Sequence, residues 1–92
     1  MKFKLGQTVV TRGINDRIAE DAKFAKFIHE SFARYVACDW GDLCKEDKAL
    51  NDSAVKNNDD RILAKYSFND EDIYIITEWD RSVTTILFTY EY

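Results

Sequence analysis

The sequence predicts an α+β fold: a three-stranded antiparallel meander at the C-terminal end, packed with two main helices, and a short N-terminal edge strand. Three observations carry this. Residues 61–92 contain three runs rich in β-branched and aromatic residues, separated by short polar breaks. Residues 21–38 repeat apolar side chains at three- and four-residue spacing, the period of a helix with one buried face. Residues 43–55 carry a narrower apolar stripe on a strongly charged segment.

The strands are expected at Ile62–Phe68, Ile73–Trp79 and Ser82–Thr89, joined by Asn69–Asp72 and by Asp80–Arg81. Pairing them across those breaks aligns Phe68, Ile73 and Phe88 in one row and Tyr66, Ile75 and Ile86 in the next, the proposed core face. The other face holds Leu63, Lys65, Tyr74, Ile76, Glu78, Val83, Thr85 and Leu87. It is too apolar to be fully wet, so another element or a partner should cover part of it. Asp80-Arg81 is a poor two-residue turn because neither residue readily takes positive φ; a longer turn through Trp79 and Ser82 fits equally well.

In chain order, Gln7–Thr11 is the β-prone run read as an edge strand, with Phe3 and Leu5 plugging the end of the core. Asn15 is placed to cap a brief helical turn, Asp16–Glu20. Asp21 then caps the main helix, whose inner face is Phe24, Phe27, Ile28, Phe32, Tyr35 and Val36 and which ends near Ala37 or Cys38. His29 falls at the boundary of that face. Gly41 permits a backbone turn, and Asp42 is the expected cap of the next helix, Leu43 to about Val55, with Leu43, Leu50 and Ala54 as its inward stripe. Asn57 can end it in the left-handed conformation.

The 92 residues make one domain with enough apolar and aromatic content for a single core. No apolar run approaches the length of a bilayer span, and Met1-Lys2-Phe3-Lys4 is not followed by the apolar stretch of a signal peptide, so a cytoplasmic protein is expected. Net charge is −4, unevenly spread: residues 1–37 sum to +3 and residues 38–92 to −7. The acidic part should be drawn to basic surfaces, including those that normally hold nucleic acid. The opposing possibility is a basic face built from Lys2, Lys4, Arg12, Arg17, Lys23, Lys26 and Arg34.

No catalytic constellation is legible. The chain has a single histidine, no G-x-S-x-G and no glycine loop to cradle phosphate. Cys38 and Cys44 are not spaced as a zinc knuckle or a thioredoxin pair, and read as two small thiols in a reducing compartment. The expectation is a noncatalytic protein without metal or cofactor. Two polar groups are the candidate contact residues: Asp39, Trp40, Asp42, Glu46 and Asp47 around the helix start, and Asp70, Glu71, Asp72 and Asp80 as a second acidic patch at the hairpin tips. Trp40 reads either as a lid on the core or as an exposed aromatic anchor between carboxylates. Trp79-Asp80-Arg81 reads either as a turn with a local ion pair or as a binding cluster.

Three segments, Thr8–Asp16, Asp39–Cys44 and Ile75–Phe88, resemble a family of small proteins carried on bacterial plasmids and other mobile elements. The likeness spans nearly the whole chain. The departures are Trp79 where a small residue is expected, and Thr89-Tyr90-Glu91-Tyr92 where Pro-Glu-Glu-Tyr is expected. Small acidic proteins of plasmids and phages are often similar to inhibitors of host defence, such as anti-CRISPR proteins. The resemblance therefore implies a protein partner, a CRISPR effector nuclease or complex, reached by a monomer or homodimer without direct contact to nucleic acid or membrane. A small nucleic-acid-binding or regulatory factor of the mobile element is the alternative.

Overall fold

The structure, a computed structural model, describes residues 2–92; Met1, which opens the charged start noted above, lies outside them. The elements run β1 (Gln7–Val10), α1 (Arg12–Glu20), α2 (Ala22–Val36), α3 (Lys45–Asn57), β2 (Ile62–Phe68), β3 (Glu71–Thr77) and β4 (Val83–Phe88), followed by a 3₁₀ turn at Thr89–Glu91. The α+β class and the antiparallel β2–β3–β4 meander stand as expected. The sheet has four strands in the order β1-β4-β3-β2 and is mixed, because β1 lies parallel to β4.

Helix α1 is longer than the expected Asp16–Glu20 turn. Its cap is Thr11, whose Oγ1 accepts a hydrogen bond from Ile14 N and donates to the Glu91 carboxylate at 2.8 Å, so the turn begins where β1 ends. Asp21 caps α2 as the sequence indicated, accepting from Lys23 N and Phe24 N. Helix α3 starts at Lys45 after Cys44, not after Asp42, and its left-handed cap is Asn58, with φ of 51°, one residue beyond the expected Asn57.

The β3–β4 register is the expected one, with Ile73 opposite Phe88 and Ile75 opposite Ile86. Strand β2 is shifted by two residues: Tyr66, not Phe68, lies opposite Ile73, and Ala64, not Tyr66, lies opposite Ile75. The reason is the turn. Asn69 takes φ of 55° and lets the chain reverse over Asn69-Asp70 alone, so β3 begins at Glu71. A two-residue shift leaves every side chain on its face, which is why the core set survives. At the other turn the longer loop forms: Glu78 N bonds Val83 O across Trp79–Ser82, and Arg81 takes φ of 61°.

Packed on the inner face are Ile14 of α1, Phe24, Ile28 and Tyr35 of α2, Ala54 of α3, and Phe3 and Trp40 from the connecting segments. The Phe24 ring lies 5.5 Å from Phe88 and 5.9 Å from Phe68, and Tyr35 lies 5.5 Å from Phe3 and 5.6 Å from Trp40. Burying each such side chain contributes roughly 1.5–3 kcal/mol before ordering entropy is subtracted. The third row of this face is polar. Thr84 Oγ1 donates to Leu5 O at 2.7 Å, so it must accept from Thr77, which in turn accepts from the Tyr35 hydroxyl at 2.6 Å. That chain of hydroxyls ties α2, β3, β4 and the N-terminal segment together, and its burial raises the Tyr35 phenol above its ordinary pKa.

On the outer face, Ile76 and Leu87 are buried yet lie outside the main core cluster. Part of this face is covered from within the chain: the Tyr92 ring meets Tyr74 edge-on at 5.6 Å and its hydroxyl is bonded by Arg61.

Candidate protein-interaction surface

The β2 edge is where the charged segments assemble. Asn51 of α3 acts as a substitute neighbouring strand, its Nδ2 donating to Leu63 O at 2.7 Å and its Oδ1 accepting from Leu63 N at 3.2 Å. One step along, Lys65 N donates to Trp40 O and Lys65 O accepts from Asp42 N at 2.7 Å. Gly41 makes this approach feasible: its φ is +75°, and a Cβ there would lie 2.0 Å from Lys65 O. These bonds hold α3 along the sheet edge with Asn51 and Ala54 turned inward.

That orientation corrects the inward stripe read from the sequence. Leu50, expected to point inward with Leu43 and Ala54, is 66% exposed, because the Asn51 pairing rotates the helix by about 100° per residue away from it. Glu46 and Asp47 stand one turn before Leu50 on the same exposed side. Both sit in the first turn of α3, where the helix dipole favours negative charge. Beside them runs a groove of about 320 Å³ lined by Leu43, Asp47, Leu50, Asp60, Arg61 and Leu63 among others.

The other expected contact residues divide. Trp40 is 3% exposed and its Nε1 donates to Asp52 at 2.9 Å; it is the lid on the core and not an exposed anchor, because the Gly41 turn folds its ring against Tyr35 and Phe3. Asp39 is exposed but bonded twice by Arg34, at 2.8 and 3.1 Å, and that guanidinium holds its carboxyl below the usual range. Among the described residues, Asp42, Glu46 and Asp47 enter no ion pair.

The second patch does not form as one surface. Asp70, Glu71 and Asp72 lie at the β2–β3 turn, whereas Asp80 lies beyond the other end of β3, because consecutive tips of a meander alternate. The seven residues of β3 put roughly 20 Å between them. Glu71 is also held by both terminal nitrogens of Arg17, and Asp72 lies 3.8 Å from Lys65. The Arg17 and Arg34 pairs likewise withdraw two cations from the alternative basic face, and the exposed Arg12–Asp16 and Lys26–Glu30 pairs, each at 3.8 Å, engage two more. Trp79 is 68% exposed in the β3–β4 loop, while its neighbour Arg81 is buried and bonds no carboxylate.

Cys38 and Cys44 are free thiols, and burial pushes the Cys38 thiol up. Among the described residues, no group of three or more His, Cys, Asp or Glu side chains could hold a metal ion. No helix of the described residues is long and apolar enough to cross a membrane. Comparison with protein-family models, curated proteins and solved structures returns no match.

Proposed function

We propose that the chain is a noncatalytic inhibitor of a host defence complex, of the anti-CRISPR type, which docks the exposed face of α3 on a basic nucleic-acid-binding surface of the effector. The observation that carries this reading is the exposed Leu50 flanked by Glu46 and Asp47, carboxylates free of ion pairs among the described residues, beside a groove that can take a partner side chain. An apolar anchor inside a charged rim is the layout by which interfaces combine affinity with electrostatic steering. Asp42 extends the acidic rim to the sheet edge. The resemblance to small proteins of mobile elements supplies the biological setting.

A plasmid-interference assay in a CRISPR-bearing host tests this. Cells expressing the chain should accept a targeted plasmid; cells expressing Asp42→Ser/Glu46→Ser/Asp47→Ser or Leu50→Ser should reject it. Inhibition that survives in both variants removes the α3 mechanism, and rejection by cells expressing the unaltered chain removes the inhibitor reading. The alternative, a nucleic-acid-binding factor, draws on Lys2, Lys4, Arg12, Lys23 and Lys26. Tight, salt-dependent retention of DNA or RNA by the isolated protein in a gel shift would favour it.

A further inference from the structure

The two edges of the sheet are finished differently. On the β2 edge, the outward N–H and carbonyl of Leu63 and of Lys65 are taken up by Asn51 and by the Trp40–Asp42 backbone. On the β1 edge, Gln7 N and Thr11 N donate to Ser82 O and Ile86 O, so the alternate residues Thr8 and Val10 turn their N–H and carbonyl groups away from β4. Among the described residues nothing pairs with them. Gln7–Val10 contains none of the charges, prolines or bulges by which natural edge strands are blunted.

We infer that this edge is an interface with a second copy of the chain, the two β1 strands pairing antiparallel about a two-fold axis at Val9. Only outward-facing residues can exchange bonds, which restricts the register. Thr8 opposite its own counterpart would set Arg12 against Lys4 of the second copy, like charge on like charge. Val10 opposite its counterpart would run Gly6 into Ile14, which is already helical. Thr8 opposite Val10 avoids the charge clash and carries the strands least far into α1, with Gly6 meeting only its first residue, Arg12: each Thr8–Val10 pair exchanges N–H···O=C bonds in both directions.

Two further features suit a second copy. Leu63, Ile76, Thr85 and Val9 are aligned across the outer face by the strand registers, and this pairing continues the row through Val9 of the second copy. The acidic α3 face lies at the opposite edge, three strand spacings or roughly 14 Å from β1, so the two negative faces end up at the far ends of the joined sheet. A four-residue edge buries much less than the ~800 Å² per partner of a standard interface, so the dimer is concentration-dependent.

Sedimentation velocity between about 10 μM and 1 mM, the range of weak transient contacts, should show the monomer giving way to dimer. Val10→Pro removes an outward N–H without touching a bond to β4 and should weaken self-association by at least about tenfold, with circular dichroism checking the fold. Independently, Val9→Cys places two thiols across the axis at about 4.5 Å between Cα atoms, a separation a disulfide accepts, so mild oxidation should give a covalent dimer. Gln7→Cys, which falls opposite Thr11, should give no covalent dimer above the background that Cys38 and Cys44 set in the unaltered chain. A monomer throughout the concentration range, or equal cross-linking of Val9→Cys and Gln7→Cys, overturns the inference.

Discussion

Replacing Arg81 should cost far more than its place in a hairpin loop suggests. The residue is 8% exposed and its guanidinium donates to five backbone carbonyls: Nη1 to Asp60 O at 2.6 Å, Glu78 O at 3.1 Å and Trp79 O at 3.3 Å, its two hydrogens shared among the three, and Nη2 to Ala54 O at 3.0 Å and Asp59 O at 2.8 Å. It thereby closes the C-terminal turn of α3 and the following loop onto the β3–β4 turn, a cation set where the helix dipole is negative. Charge-assisted bonds are worth about 1.5–3 kcal/mol each, but the five do not add. The loop carbonyls regain water when the side chain is removed, and desolvating the guanidinium, whose Nε is buried without a partner, already offsets part of the gain. We expect Arg81→Ala to lose about 2–4 kcal/mol, the cost of one or two carbonyls left buried without a donor at about 1–3 kcal/mol each, and Arg81→Lys about half of that, because a single ammonium cannot span carbonyls on three segments.

The backbone supplies an internal control. With φ at 61°, Arg81 pays the left-handed penalty, so Arg81→Gly should be about 1 kcal/mol more stable than Arg81→Ala. Urea unfolding followed by far-ultraviolet circular dichroism measures all three variants. Arg81→Ala within 1 kcal/mol of the unaltered chain would refute the claim that this residue joins α3 to the sheet.

Thr84→Val should cost about 1–3 kcal/mol by breaking the buried hydroxyl chain, lowering the melting temperature by about 4–8 °C per kcal/mol; adding Thr77→Val should cost less than the sum of the two, as coupled sites do. Asn51→Asp keeps an acceptor for Leu63 N but sets a carboxylate against Leu63 O, so it should be less stable than Asn51→Ala and expose the β2 edge, read as earlier unfolding in urea and faster aggregation on heating. Asp39 has its carboxyl lowered from 3.8 by the Arg34 hydrogen bond, so its contribution is full above that value and is lost as pH falls through the lower folded value. Asp39→Asn should therefore remove part of the acid-side slope of stability, with the two proteins converging as pH falls through that lower value, measured by urea unfolding at a series of pH values.

What was legible in the sequence is what depends on local chemistry. Asp21 and the three-and-four spacing from Phe24 to Val36 specify α2, and alternation specifies the two faces of the meander. What was not legible depends on contacts between distant segments. The parallel β1–β4 pairing joins residues more than seventy positions apart, and nothing in Gln7–Val10 distinguishes a parallel from an antiparallel neighbour. The two-residue shift of β2 arose at Asn69, whose positive φ closes the turn within Asn69-Asp70 and leaves Glu71 and Asp72 to β3. The outward turn of Leu50 came from Asn51, an amide whose partner, the Leu63 backbone on the open edge of β2, is twelve residues away; Asn51, Ala54 and Val55, at helical spacing, were the available signal. For Trp40 the sequence offered both a lid on the core and an exposed anchor, and the Gly41 turn, which folds the ring against Tyr35 and Phe3, selects the lid.

The central proposal, contact through α3 without chemistry, is tested most directly by hydrogen exchange on the chain mixed with a CRISPR effector complex whose activity it is found to block. Protection gained on binding should concentrate between Leu43 and Asn51 and along the groove wall at Asp60–Leu63. Protection confined to the N-terminal basic residues, with α3 exchanging as in the free protein, would contradict it.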